Sequence, residues 1–205
     1  MSDTHMLHRS LAVPAGDALI HCGDFSNEPI LSEYDDFFAW FASWPHKHKI
    51  LVAGNHDELL QQFPAIRKRI PSTINYLEDS TTEVEGLKIF GSPWTPGASY
   101  MAYTYREGKP GAPAWSMIPP FTDVVITHGP PRGILDVSYT GLHIGDKDLL
   151  ARIVAIRPRA HLFGHVHGYN GVVERDGTIY VNAAIGDDEE EADEELSSRI
   201  RVVDL

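Results

Sequence analysis

The chain has a single cysteine, Cys22, so no disulfide can form within it. It has no uninterrupted apolar run of about 18 residues, the length a membrane-crossing helix needs. No basic segment followed by an apolar stretch opens it, so no secretory leader is expected. Positive charge is scarce: the net charge is −12, and Arg67-Lys68-Arg69 is too short a basic run to face a nucleic-acid duplex. Eight acids between Asp187 and Glu195 supply much of the imbalance. That tract is expected to be a disordered acidic loop over 187–195. No internal repeat is visible. These absences predict a cytoplasmic protein that contacts neither membrane nor long nucleic acid. The length predicts a single domain over 1–205.

What the chain does have is a set of short polar clusters placed where strands should end. They are Asp3-Thr4-His5, Gly23-Asp24, Gly54-Asn55-His56-Asp57, Thr127-His128-Gly129 and Gly164-His165-Val166-His167. Four of them follow apolar runs: Leu19–Cys22, Ile50–Ala53, Val124–Ile126 and His161–Phe163. Aspartate, histidine and asparagine are ligands that divalent metals use. Glycine before such a ligand permits a sharp turn and close backbone approach. In open α/β sheets, sites form at the carboxyl ends of strands, where scattered clusters converge. His165 and His167 are two residues apart, which on an extended segment places both side chains on one side.

Between the clusters, strand-like and helix-like segments alternate. Aromatics at helical spacing (Phe37, Phe38, Trp40, Phe41, Trp44) predict a helix over 31–44 that Pro45 ends. Helices are also expected over 58–69 and 146–156. Hairpins are expected at 82–85/87–90 and 171–174/178–181, the second turning at Asp176-Gly177. Residues 92–120, rich in proline, glycine and aromatics, predict a long loop beside the site. A last strand is expected over 198–203.

The five clusters, in this order, resemble the signature of the calcineurin-like metallophosphoesterase superfamily: D-x-H, G-D, G-N-H-[DE], a lone H, and G-H-x-H. Gly91-Ser92-Pro93-Trp94, Thr127-His128-Gly129-Pro130-Pro131 and Val181-Asn182-Ala183 are similar to a small subgroup. It comprises vertebrate brain-expressed metallophosphoesterase-domain proteins and bacterial relatives. The resemblance implies an α/β fold of two packed β-sheets flanked by helices, four layers in all. It also implies two divalent transition-metal ions, Mn2+ first, with Fe, Zn, Co or Ni as alternatives. Asp3, His5 and His167 would hold one ion. Asn55, His128 and His165 would hold the other, and Asp24 would bridge them. Two metals about 3.5–4 Å apart clamp a phosphate and generate hydroxide near neutral pH. His56 would contact the phosphoryl oxygens or protonate the leaving group, with Asp57 orienting its ring.

The implied function is metal-dependent hydrolysis of a phosphoester, a phosphodiester before a monoester, with a small or cyclic nucleotide as the expected substrate. Two features depart from the pattern. Only Met1 and Ser2 precede Asp3, where the family places a full strand. Asn170 stands where the subgroup tends to have glycine, for which only a local loop effect is expected. A loosely held Asp3 and His5 would weaken the first metal. The competing expectation is therefore a metal- or nucleotide-binding scaffold with vestigial activity. His143, His8, Arg9, Tyr103 and Tyr105 are weaker candidates for the cleft, with packing or surface roles as their alternatives.

Overall fold

The computed structural model describes residues 1–97, 100–106, 113–186 and 193–205. Its framework is two sheets. Strands β1 (Ala18–His21), β2 (His48–Val52) and β3 (Asn75–Leu77) form a parallel three-stranded sheet. The second sheet contains β4 (Ser80–Val84), β5 (Leu87–Ser92), β8 (Val124–Thr127), β9 (Ala160–Phe163), β10 (Gly171–Arg175) and β11 (Thr178–Asn182). It has the order β10-β11-β9-β8-β5-β4, parallel through β5-β8-β9-β11, with the two hairpins closing its edges. Two short strands, β6 (Thr95–Pro96) and β7 (Thr104–Tyr105), pair inside the segment expected to be one long loop. The loop reading of 92–120 is corrected to that extent.

The layering follows from the two-residue period of a strand. In β2, Ile50 and Val52 face the second sheet, whereas Leu51 faces a helix layer. In β8, Val124 and Ile126 face the first sheet and Val125 faces away. In β9, Ala160 and Leu162 face inward, and Phe163 packs outward against α3 (Lys147–Ile156) through Leu149 and Ile153. On the far side of the first sheet lies α1 (Leu31–Ser43). Its Tyr34, Phe37, Phe38 and Phe41 recur at i, i+3, i+4 and i+7, all fully or nearly fully buried. Burying each such ring contributes about 1.5–3 kcal/mol. The order is therefore helix, sheet, sheet, helix, as the resemblance implies.

Three boundaries differ from expectation. The helix expected over 58–69 is two pieces, α2 (Glu58–Gln62) and a 3-10 turn over Pro64–Arg69. Pro64 has no N–H to donate back into the first piece. The acidic tract is described only from residue 193, where helix α4 (Asp193–Ser198) begins, so the loop reading of 193–195 is corrected and 187–192 lie outside the described residues. No strand forms over 199–205. Asn170 holds this segment as an irregular arm, donating from Nδ2 to Ala184 O at 2.8 Å and Arg199 O at 2.9 Å while its Oδ1 accepts from Arg201. Its effect is thus larger than the local one expected.

The residues at the start are firmly held. Met1 lies beside β1, its ammonium donating to Ile20 O at 3.0 Å and its carbonyl accepting from Cys22 N at 3.0 Å. Ser2 bridges to Ala184 in parallel register, and its carbonyl accepts from Ile185 N at 2.9 Å. Asp3 donates from N to Gly23 O at 2.8 Å and accepts from Gly186 N at 3.2 Å. The expectation of a loose Asp3 is corrected. A rung of backbone hydrogen bonds on each side buries it completely.

Candidate metal centre

The clusters meet along one edge, at the carboxyl ends of β1, β2, β8 and β9. β1 leads into Gly23-Asp24, β2 into Gly54-Asn55, β8 into His128, and β9 into Gly164-His165. Met1–His5 threads between the two sheets' ends to join them. The turns are tight. Asp3, His5, Asp24 and His165 all have positive φ (53°, 41°, 56° and 69°). Non-glycine residues held there cost of order 1–3 kcal/mol each and cluster at functional sites. A Cβ on Gly54 would collide with Asp24 Oδ1 and the His128 ring, and one on Gly164 with the carboxylate of Asp3. Glycine at these two positions is what lets the ligand side chains approach.

Three groups of donor atoms each lie within 4.8 Å of one another: Asp3, His5 and His167; Asp24, His128 and His165; and His5, Asp24 and His56. Asp3 Oδ1 is 3.3 Å from His167 Nε2, and Asp24 Oδ2 is 3.3 Å from His128 Nε2. Asn55 Oδ1 is 2.9 Å from the same His128 nitrogen, and its Nδ2 points to Met101 Sδ at 3.7 Å. His5 Nε2 is 4.0 Å from Asp24 Oδ2. Asp24 therefore belongs to two of the three groups, and His5 links it to the remaining one. Every expected ligand is brought to this one edge.

The donor set fits a divalent transition metal: imidazoles, carboxylates and one amide oxygen. His5 Nε2 is buried and has no hydrogen-bond partner among the described residues, an orphan that a cation would satisfy. His128 donates from Nδ1 to Cys22 O at 3.0 Å, which turns Nε2 toward Asp24 and Asn55.

Electrostatics point the same way. Burial opposes ionisation of Asp3, yet the His167 hydrogen bond and the charges of His128, His167 and His5 hold its carboxyl well below the usual range. Burial also opposes ionisation of Asp24, and His128 beside it outweighs that. Burial disfavours charge on His128, but Asp24 lifts it to about 9. His165 falls to about 4, through burial first and then the charge on His128. Two carboxylates held ionised in a dry pocket are the negative charge that added cations would balance.

Asp57 does not orient the His56 ring, so that role is corrected. Its carboxylate accepts from Gly54 N (2.7 Å), Asp24 N (2.9 Å), Phe25 N (3.2 Å), Ser26 N (3.1 Å) and Ser26 Oγ (2.8 Å). It ties the Gly23-Asp24 turn to the Gly54-Asn55 turn. Burial and the charge on Asp24 push it up to about 7, and the five donors oppose that push. His56 lies half-buried at the rim, its ring 4.9 Å from that of His5, and its N–H donates to Asp24 Oδ1 at 2.8 Å.

The weaker candidates lie elsewhere or serve packing. His8 and Arg9 pair with Asp36 of α1. Tyr103 donates to Glu78 at 3.0 Å and Tyr105 to Asp146. His143 donates to the buried Asp136 at 2.6 Å. Sequence reasoning passed over Asn27, which contacts His5 directly. A lone polar residue in a Phe-Ser-Asn loop carries no signal of that contact.

The family model described as calcineurin-like phosphoesterase matches residues 2–169. The human metallophosphoesterase domain-containing protein 1 is 36% identical over 210 residues, covering 90% of this chain and 64% of the relative. The chain thus spans about two thirds of that protein's length. A UPF0046 protein of Caenorhabditis elegans is also 36% identical, over 198 residues, covering 90% of this chain and 68% of the relative. Among solved structures, the phosphopantetheinyl hydrolase of Mycobacterium tuberculosis superposes with a TM-score of 0.59 at 15% identity, covering 91% of this chain and 88% of that one.

Proposed function

This chain belongs to the calcineurin-like phosphoesterase family, whose members are metal-dependent phosphoesterases, and we propose that it hydrolyses a small phosphodiester at a centre for two divalent cations. The observation that carries this reading is the convergence of three donor groups around Asp24 and His5, with His5 Nε2 unpartnered among the described residues. Asp3, His5 and His167 would hold one cation, Asn55, His128 and His165 the other, and Asp24 both. When bound, the cations supply Lewis-acid polarisation of the phosphoryl oxygens and lower the pKa of water. Mn2+ is the first choice, because imidazole-rich sets with hard oxygen ligands suit it and its neighbours in the series.

The protein's own residues set the rest. Asp3 and Asp24 supply the negative charge that balances the cations. The Asp57 hub fixes the distance between the two glycine turns. His56, at the rim, is placed to donate a proton to the departing oxygen as the P–O bond breaks. A small substrate, a nucleotide among the candidates, suits the net charge of −12 better than a long polyanion. The buried, doubly anchored Asp3 supports an enzyme over a binding-only scaffold.

The test pairs metal analysis by mass spectrometry with hydrolysis of bis-p-nitrophenyl phosphate and p-nitrophenyl phosphate. We expect near two metals per chain after Mn2+ reconstitution, the diester cleaved faster, and loss of turnover in EDTA that Mn2+ restores and Ca2+ does not. Turnover indifferent to EDTA would contradict the reading.

A further inference from the structure

His5 has no strand to orient it. It sits in the left-handed region, φ 41°, on the turn that follows the rung at Met1–Asp3. Its Nδ1 forms a hydrogen bond with Asn27 Oδ1 at 2.9 Å. The same amide reaches back to the His5 main chain, Nδ2 to His5 O at 3.1 Å.

These two contacts fix a proton. A carbonyl oxygen only accepts, so the amide face toward His5 O must be the NH2 group. The amide oxygen then faces the ring, and it also only accepts, so His5 Nδ1 must carry the hydrogen. A neutral imidazole with its hydrogen on Nδ1 has its lone pair on Nε2. That atom is buried, has no hydrogen-bond partner among the described residues and lies 4.0 Å from Asp24 Oδ2, and His5 is grouped both with Asp3 and His167 and with Asp24 and His56. Asn27 is held in turn: its N–H and that of Glu28 donate to Glu33 Oε2 at 2.8 and 3.1 Å, from the first turn of α1.

We propose that Asn27 is a positioning residue: it locks His5 in the Nδ1–H tautomer and thereby sets the affinity of the Asp3–His5–His167 site for its cation. This rests on the metal-centre reading above. His128 has its Nδ1 hydrogen directed by a main-chain oxygen, Cys22 O, which no substitution of a neighbouring side chain removes. His5 depends on a side chain, and an exposed one. Outer partners of this kind typically change metal affinity by about 10–100-fold.

The experiment uses the full chain, metal-free and labelled with 15N-histidine, as wild type, Asn27→Ala and Asn27→Asp, with His5→Gln to assign the resonance. Long-range 1H–15N spectra read the tautomer, calorimetric titration with Zn2+ reads affinity, and the thermal midpoint of each metal-free variant separates out any folding loss. We expect Nδ1–H at His5 in the wild type. Asn27→Ala should lose that preference and weaken one of two Zn2+ steps by about 10–100-fold, leaving the other unchanged. Asn27→Asp, which still accepts from Nδ1 though it cannot donate to His5 O, should keep the Nδ1–H preference and should not reproduce the loss of Zn2+ affinity seen in Asn27→Ala. An Nε2–H tautomer in the wild type, or unchanged tautomer and Zn2+ binding in Asn27→Ala, would overturn the proposal. A wild type that binds no Zn2+ but shows the Asn27-dependent tautomer would overturn the metal-centre reading and the affinity half of this one.

Discussion

The two halves of the centre are built differently. Asn55, His128 and His165 stand at the ends of complete strands, β2, β8 and β9, whose ladders fix the backbone before any side chain is chosen. Asp3 and His5 stand on a rung of two residues and a left-handed turn. They are held from outside: Asp3 by His165 N–H, at 2.9 Å to Oδ2, and His5 by Asn27. A ligand on a sheet inherits its position from hydrogen bonds that the fold makes in any case. A ligand on a loop needs clamps of its own, and each clamp is a further place where the site can fail. Asp24 approaches both halves, at 3.3 Å from His128 Nε2 and 4.0 Å from His5 Nε2.

The comparison can be broken most directly at that carboxylate. Asp24→Asn should lose both cations and reduce hydrolysis to background, measured by metal analysis and turnover. Retention of two metals would mean that the halves fill independently. His56→Ala touches neither half's ligand set. It should keep both cations and lower kcat by about 10²–10⁴-fold, the usual range for a lost general acid. Unchanged turnover would remove His56 from the chemistry.

Gly164→Ala separates the halves. The added methyl meets the Asp3 carboxylate and Ser2, so a Zn2+ titration should show the Asp3–His5–His167 step weakened more than the other. Equal weakening would erase the distinction.

The smallest effect sharpens the scaffold side. His161 in β9 is buried, and burial lowers its pKa from the ordinary imidazole value of about 6.5 to about 3. The folded state therefore binds fewer protons than the unfolded one. The associated stability is intact above about pH 6.5 and is lost as pH falls from there toward 3. His161→Leu should flatten that acid limb, read as a smaller drop in thermal midpoint between pH 7 and pH 4.5. Thr127 Oγ1, its partner at 2.8 Å, keeps a bond to Gly129 O at 2.6 Å. An undiminished drop would place the acid sensitivity elsewhere.

The strand-borne half was the more legible in the sequence, for the same physical reason. An apolar run followed by glycine and a ligand is a local pattern, and Ile50–Asn55 or Leu162–His165 states it in a few residues. The aromatic spacing of α1 and the Asp176-Gly177 turn were equally local. What sequence reasoning lost was non-local or competed with itself. Ile200–Val203 alternates like a strand, yet Asn170 and Arg201 hold it as an arm. The apolar residues over 58–69 suit one helix, and Pro64 divides it. Asp57 sits beside His56 in sequence but spends its carboxylate on a turn some thirty residues earlier. Asn27 meets His5 across 22 residues, with nothing in its neighbours to announce it.

The central claim is that the two halves hold one cation each, on either side of Asp24. Anomalous diffraction from crystals of the Mn2+-loaded protein tests it directly. We predict two peaks about 3.5–4 Å apart, one among Asp3, His5 and His167, the other among Asn55, His128 and His165, with the Asp24 carboxylate between them. A single peak in fully loaded crystals, or two peaks that do not share Asp24, would contradict it.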